Sequence, residues 1–207
     1  MIDKFISAYR NLEMGIISDL SGAGLAANEE THFYDEGYMR ARIKEIQREL
    51  KRLDKEIEIS REINDNKKEA EMKENKERLI LRMAFLASNS FSNLDDSIRI
   101  ANGYTFDFIR CVDALKAYRA GRNEEAFNML EDYYREYGSV ENHFLVNKVF
   151  GILLAEKGSY AKAVPFLTYS LQFVPDDLES LSCLEKCYSE LNNDNSAVVQ
   201  DIIELLS

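Results

Sequence analysis

Proline and glycine are scarce in this chain, and their scarcity limits the folds open to it. Of 207 residues, two are proline and nine are glycine. Leu, Glu, Lys, Ala and Arg are all plentiful, and each of them favours helix. Strand-rich folds need frequent turns of the kind that glycine and proline make. The composition therefore predicts an all-α fold with long helices.

The first 35 residues are predicted to form one amphipathic helix and a connection. Apolar residues recur at helical spacing from Ile2 to Leu20. The SGAG segment at 21–24 is interpreted as the end of this helix, because a phosphate-binding loop would need a preceding strand and a following lysine. The first 15 residues carry acidic side chains and no long apolar core, so we do not expect a secretory signal.

Residues 36–87 are predicted to form a coiled coil or a helical hairpin. Apolar residues alternate at spacings of four and three, and the residues between them are nearly all charged. The seam consists of Met39, Ile43, Ile46, Leu50, Leu53 and Ile57. Because the stripe is narrow, it can bury against one neighbouring helix. We expect it to mediate self-association, as a homodimer.

The heptad pattern ends at Ser60, and INDNKK at 63–68 favours a turn. A second apolar stripe then resumes in a different phase, at Leu79, Met83 and Leu86. Two structures fit this pattern: an antiparallel hairpin that turns near residues 64–66, and one long helix with a stutter. The hairpin is the interpretation that we favour.

Residues 88–207 alternate amphipathic segments with short polar turns, which indicates paired antiparallel helices. Within them, residues 144–177 space small and large side chains in a distinct order: Phe150, Gly151, Leu154, Ala163, Leu167 and Pro175. This order resembles the tetratricopeptide repeat, whose signature is W-x₂-L-G-x₂-Y, then A-x₃-F, then P. Two departures are Asn147, which replaces the aromatic residue, and Pro165, which falls inside the second helix.

Neighbouring copies of the pattern extend the resemblance to residues 107–207. Thirty-seven residues upstream, AGRNEEAFNML aligns with KGSYAKAVPFL and matches Gly121 with Gly158 and Ala126 with Ala163. This spacing exceeds the usual 34 by three, so we expect an insertion near 137–142. Thirty-four residues downstream the first-helix pattern recurs, followed by a small residue, at Leu181, Leu184, Tyr188 and Ala197. The resemblance implies an α-α solenoid over 88–207.

In the family that this segment resembles, first helices line a concave face that binds proteins or peptides. Carried over, this implies seven partner-binding candidates: Phe108, Leu115, Tyr118, Leu145, Lys148, Ile152 and Lys186. Packing between helices is the alternative role for the apolar ones. We expect Lys148 to pair with a partner's carboxylate or with a neighbouring glutamate. A clamp for chaperone tails is not expected, because Ile152 and Glu179 replace the asparagine and lysine of such clamps.

Charge and cysteine content restrict the possible partners and compartment. The net charge of −11 disfavours direct nucleic-acid binding. No apolar run is long enough to insert across a membrane. The odd number of cysteines, without a framework spacing, argues for a reducing, cytoplasmic compartment. Cys183 and Cys187 share a helical face, but zinc needs four ligands, so we interpret them as packing residues.

No catalytic, cofactor-binding or metal site is predicted, and we expect a non-enzymatic protein. The leading hypothesis is a cytoplasmic adaptor or scaffold, in which a repeat groove binds a protein or peptide and the heptad helix mediates self-association. Two alternatives remain open. One is a dedicated chaperone that shields a labile or secreted client protein, and the other is a regulatory subunit of a nucleic-acid-processing complex.

Overall fold

The computed structural model describes residues 36–104, 107–138 and 143–207, and this part of the chain is helical with no strands. Neighbouring helices pack in pairs, which confirms the predicted all-α, solenoid-like fold. The helix predicted at residues 2–20 lies outside the described residues. The nine described α-helices are α1 (Glu36–Glu62), α2 (Asn66–Ala87), α3 (Leu94–Ala101), α4 (Ile109–Arg119), α5 (Asn123–Tyr137), α6 (Phe144–Glu156), α7 (Tyr160–Leu171), α8 (Leu178–Glu190) and α9 (Asn195–Leu206).

The described residues form two compact units, 36–122 and 123–207. The domain boundary predicted between residues 87 and 88 therefore falls inside the first unit. Ser97 Oγ donates a hydrogen bond of 2.7 Å to the Ala84 carbonyl, and the rings of Phe85 and Phe108 lie 4.8 Å apart. These contacts join Ser97 and Phe108 to the last turns of α2.

Helices α1 and α2 form an antiparallel hairpin. An ion pair of 2.7 Å joins Arg61 to Glu69 near the turn, and one of 2.6 Å joins Asp54 to Lys76 farther along both helices. Residues that come earlier in α1 thus pair with residues that come later in α2, as in any antiparallel pair of helices. This arrangement rules out one continuous helix over residues 36–87.

The hairpin turn follows from the polar residues at 64–65. Asn64 has a φ of 56°, a left-handed conformation that asparagine tolerates better than most residues. Asp65 then caps α2, because its carboxylate accepts a hydrogen bond of 3.1 Å from the Lys68 N–H. The chain reverses where asparagine and aspartate make helix continuation unfavourable.

The heptad seam of α1 is packed inside this hairpin. Ile46, Leu53 and Ile57 are buried, and Ile43 and Leu50 are half-buried. The side chain of Met39 lies outside the described part. Because the seam is only wide enough for one neighbouring helix, α2 of the same chain satisfies it. The self-association hypothesis requires a seam that is open to a second copy of the chain. The described seam residues are instead packed against α2.

Three turns in residues 109–206 share one backbone geometry. At each turn an N–H reaches back five residues to a carbonyl at 2.9 Å: Arg122 to Ala117, Ser159 to Leu154 and Asn193 to Tyr188. The residue before each donor has a positive φ: Gly121 at 75°, Gly158 at 72° and Asn192 at 52°. These are the bonds and dihedrals of a Schellman helix ending. The hairpin turn has the same geometry, because the Asp65 N–H lies 2.9 Å from the Ser60 carbonyl and Asn64 has the positive φ. This helix ending therefore belongs to the tight reversals of the chain in general and is not specific to the repeat.

Helix α5 is longer than α7, its counterpart in the next repeat. Helix α5 has 15 residues and α7 has 12. The insertion predicted near 137–142 falls mostly on residues outside the described part of the chain.

The last helix is shifted by one residue relative to the predicted alignment. Helix α9 begins at Asn195, 35 residues after α7 begins at Tyr160. Ala197 is consequently exposed, while Val199 and Ile202 are fully buried. The predicted equivalence of Ala197 and Ala163 is wrong, because the turn before α9 contains one more residue than the turn before α7.

Helices α6 and α7 approach each other closely at Gly151. A Cβ atom on Gly151 would lie 2.7 Å from Leu167 Cγ and 3.1 Å from the Leu167 backbone nitrogen. Ala163, one turn earlier on α7, is completely buried. Helix α7 continues through Pro165 without ending there. The two small residues thus stand where the repeat resemblance implies a close helix contact.

Asn147, which replaces the aromatic residue of the repeat signature, is held by polar contacts. Tyr134 Oη donates a hydrogen bond of 3.0 Å to Asn147 Oδ1, and Asn147 Nδ2 donates one of 2.7 Å to the His143 carbonyl. The Tyr134 ring stacks on Phe150 at 4.7 Å and meets the edge of Phe166 at 5.0 Å. This aromatic cluster joins α5, α6 and α7.

We expect Gly151→Ala to lower the free energy of unfolding by about 1–3 kcal/mol, because the added methyl group overlaps the Leu167 side chain. Urea denaturation measures this change. In a Leu167→Ala background the side-chain overlap is removed and only the contact of 3.1 Å with the backbone nitrogen remains, so the same substitution should cost less. Equal costs of Gly151→Ala in both backgrounds would show that the two residues are not in contact.

Candidate functional site

Most of the predicted partner-binding residues lie in the interior. Leu115 is fully buried, and Phe108, Leu145, Lys148 and Ile152 are also buried. Helix α6 is buried at every position from 145 to 155. For the apolar candidates this placement matches the alternative interpretation, packing between helices. A partner cannot reach these side chains without moving the helices around them.

Lys148 is occupied by carboxylates of its own chain. Its Nζ lies 2.8 Å from Asp177 Oδ1 and 2.7 Å from Glu179 Oε2, and its side chain is only 9% exposed. The second oxygen of Asp177 accepts a hydrogen bond of 2.9 Å from the Ser180 N–H and caps α8. Lys148 therefore links α6 to the beginning of α8. Of the two roles predicted for it, the structure has the pair with a neighbouring glutamate.

We expect Lys148→Met to lower the free energy of unfolding by about 1.5–3 kcal/mol, since the partly buried carboxylate of Asp177 loses its charged donor. Thermal and urea denaturation test this. Lys186→Met is the matched control, because Lys186 is exposed and its loss should change stability by less than about 0.5 kcal/mol. Equal stabilities of the two variants would contradict a structural role for Lys148.

Tyr118, in the unit 36–122, is half-buried. Its ring stacks on Phe91 with centroids 6.1 Å apart. The adjacent Arg119 donates a hydrogen bond of 2.6 Å to the Phe91 carbonyl. These contacts hold the 3₁₀ turn at Phe91–Asn93 against α4. Tyr118 thus has a structural role within its unit, and part of its ring surface remains accessible.

Helix α8 carries the exposed part of the predicted groove in the unit 123–207. Its outward residues are Glu179, Ser182, Lys186 and Ser189. The opposite side of α8 is buried through Leu181, Leu184 and Tyr188. Lys186 forms no ion pair with the described residues, in contrast to Lys148. We call this set of four outward residues the α8 face.

A second exposed surface, which the sequence analysis did not identify, lies on α1. Six basic residues project from the helix face opposite the heptad seam: Arg40, Lys44, Arg48, Lys51, Arg52 and Lys55. All six are exposed. The signal in the sequence was that all six fall between the seam residues at spacings that keep them off the seam face of the helix. We call this set the basic face of α1.

His143 begins α6 as its N-cap. Its Nδ1 accepts a hydrogen bond of 3.1 Å from the Val146 N–H, and the side chain is fully buried. Burial lowers the pKa of His143 to about 3, because the imidazolium would lose its hydration. A protonated Nδ1 also could not accept the capping bond. The histidine is therefore a neutral structural cap.

This pKa makes stability depend on pH in one direction. The unfolded chain protonates His143 below about pH 6.5, whereas the folded chain stays neutral down to about pH 3. Stability should fall as pH drops through this window, by at most about 1.4 kcal/mol per pH unit from this residue. His143→Asn keeps a capping oxygen and does not titrate. The stability difference between the two proteins, measured from pH 7.5 to 5, should change; a constant difference would contradict the burial of a neutral imidazole.

The three cysteines are free thiols with different surroundings. Cys111 and Cys187 are fully buried, whereas Cys183 is half-buried. Burial raises the pKa of Cys111, so its thiol stays protonated. In the described part of the chain, no three His, Cys, Asp or Glu side chains come together as metal ligands would. Cys183 and Cys187 lie on one side of α8, about one helical turn apart.

Comparisons of this chain with protein-family models, curated proteins and solved structures find no match. The resemblance to the tetratricopeptide repeat therefore rests on the chain's own residues and contacts. Among the described helices, none is both long and apolar enough to cross a membrane.

Proposed function

We propose that this chain is a non-enzymatic adaptor, in which a tetratricopeptide-like helical array binds a protein or peptide partner. The observation that carries the proposal is the close contact of Gly151 with Leu167, at the positions where the repeat resemblance implies one. The turns at Gly158 and Asn192 lie 34 residues apart, which is the usual length of the repeat. Stacked helix pairs of this kind present their first helices as a surface for partner proteins.

The α8 face is the part of this surface that we assign to the partner. Its residues are exposed, whereas the corresponding residues of α6 are buried. Lys186 stands there among mainly acidic surroundings, and its ammonium group can pair with a partner's carboxylate. The small hydroxyl side chains beside it, Ser182 and Ser189, leave room for a partner backbone to approach and accept hydrogen bonds.

Self-association through the heptad seam is not part of the proposal. The seam side chains that are described lie within the hairpin of one chain, and a dimer through them would require the hairpin to open. A cytoplasmic location is part of the proposal, on the ground that all three cysteines are free thiols.

The experiment is an affinity purification with three forms of the protein, followed by mass spectrometry. Lys186→Glu should lose proteins that the parent retains, because a partner carboxylate would meet a like charge. Lys162→Glu is the matched control, an exposed lysine on the second helix of the preceding pair, and it should retain them. Identical sets of bound proteins from all three forms would contradict an interaction at the α8 face.

The basic face of α1 is the competing surface, and a second variant tests it. Lys44→Glu with Lys51→Glu reverses two exposed charges on that face. If the partner binds the α8 face, this double variant should keep the interaction. Loss of the same proteins with this variant, and not with Lys186→Glu, would assign the partner to the hairpin.

A further inference from the structure

The basic face of α1 carries no acidic side chain and no large apolar one. At about 100° of rotation per residue, its six residues lie within about 60° of the side of the helix opposite Ile46. Between residues 40 and 55, the only other residue in this sector is Ala41. The acidic residues of that stretch lie about 80° or more from the centre of the face: Glu45, Glu49 and Asp54. The sequence mixes charges of both signs, and the helix separates them.

Four of the six cations form a row along the centre of this face. They lie within about 40° of the centre and extend over about 16 Å of the helix. All four are exposed, and none of them forms an ion pair with the described residues. We call this set the α1 row: Lys44, Arg48, Lys51 and Lys55.

The neighbouring carboxylates are paired with bases outside the α1 row. At distances of 2.6 to 3.5 Å, every acidic side chain between residues 45 and 56 has such a partner: Glu45 has Arg42, Glu49 and Glu56 have Arg52, and Asp54 has Lys76. The row ends at Lys55, because the exposed Glu58 and Glu62 follow on the same side of the helix. The positive charge of the row is therefore left without an ionic partner among the described residues.

We propose that the α1 row binds the phosphate backbone of a nucleic-acid duplex, without reading the base sequence. The inference does not depend on the proposed function, because the row lies on α1 and the assigned partner surface lies on α8. It also gives a role to the one exposed surface of α1, whose opposite side is packed against α2.

The expectation against nucleic acid rested on the net charge of the whole chain, and this charge is unevenly distributed. Residues 123–207 contain 15 acidic and 5 basic residues, whereas residues 36–122 contain 16 acidic and 19 basic residues. The negative charge thus belongs mainly to the second unit. The surface that a duplex would meet on α1 is positive.

The composition of the α1 row favours phosphates over a protein or a lipid surface. Protein interfaces have an apolar or aromatic centre, and the basic face has none. A helix that lies in a lipid surface inserts its apolar side, and that side of α1 is buried in the hairpin. Binding to a duplex backbone requires only cations that displace its counterions. Because a duplex carries one negative charge per about 1.7 Å of its axis, several phosphates lie within the length of the row.

The salt dependence of binding is the first test. The unmodified protein is titrated into a fluorescently labelled DNA duplex of about 20 base pairs, and the anisotropy is measured from about 25 to 200 mM salt. Four phosphate contacts predict that log K falls with log salt at a slope of about −3.6. A duplex of the same length and unrelated sequence should bind equally. No binding at the lowest salt, a slope near zero or a tenfold preference for one duplex would overturn the proposal.

The second test locates the contact on the α1 row. Lys44→Gln with Lys51→Gln removes two of the four contacts and should reduce the slope to about −1.8. Lys67→Gln with Lys68→Gln is the matched control, because it makes the same change in charge at two exposed lysines of α2 and should leave the slope unchanged. Circular dichroism checks that both variants keep their helicity. Equal slopes for the two double variants would overturn the assignment to the row.

The third test separates the duplex from other anionic partners. Poly-L-glutamate stands for an acidic protein surface, and vesicles of phosphatidylserine and phosphatidylcholine stand for a membrane. At equal concentrations of negative charge, each should displace the labelled duplex less well than an unlabelled duplex does. Stronger displacement by poly-L-glutamate or by the vesicles would assign the row to that class of partner and overturn the proposal.

Discussion

The close approach of α6 and α7 is the contact on which the unit 123–207 depends. Gly151 has no side chain where Leu167 needs space, and the two helices can therefore lie against each other with Ala163 enclosed between them. This leaves Phe150 free to stack with Tyr134 and Phe166. Helix α6 is consequently buried on all sides. A central helix of this kind has to be apolar or have partners for its polar groups, and in α6 the buried Asn147 and Lys148 are both paired.

The burial of α6 decides which surfaces remain for a partner. Lys148 had the position and charge of a binding residue, but a lysine inside a packed unit needs carboxylates close by. Asp177 and Glu179 supply them, and Asp177 also caps α8. The ion pairs that join α6 to the start of α8 thus also remove Lys148 from the surface. Among the described residues, the candidates that remain are the exposed α8 face, the basic face of α1 and the accessible part of the Tyr118 ring.

The outcome at particular residues shows how much of the helix packing could be predicted from the sequence. The spacing of Gly151, Ala163 and Leu167 predicted a close helix pair, because only small residues permit such an approach. The match of Ala197 failed, since a single extra residue in the turn before α9 rotates the helix by about 100°. An alignment by residue type does not detect a shift of one residue.

The sequence by itself determined that the chain is helical, where the chain turns and which residues are apolar on each helix, because these properties arise from local propensity and spacing. Only the tertiary structure decided which apolar surfaces meet. The heptad seam of α1 requires one neighbouring helix, and its spacing is the same whether that helix comes from a second chain or from α2. The turn at Asn64 and Asp65 brings α2 alongside α1, so the seam closes within the chain. The tertiary structure also decided which lysines are exposed. Lys148 and Lys186 lie on α6 and α8, the first helices of successive pairs. The packing around Lys148 buries it in ion pairs, whereas Lys186 stays on the surface.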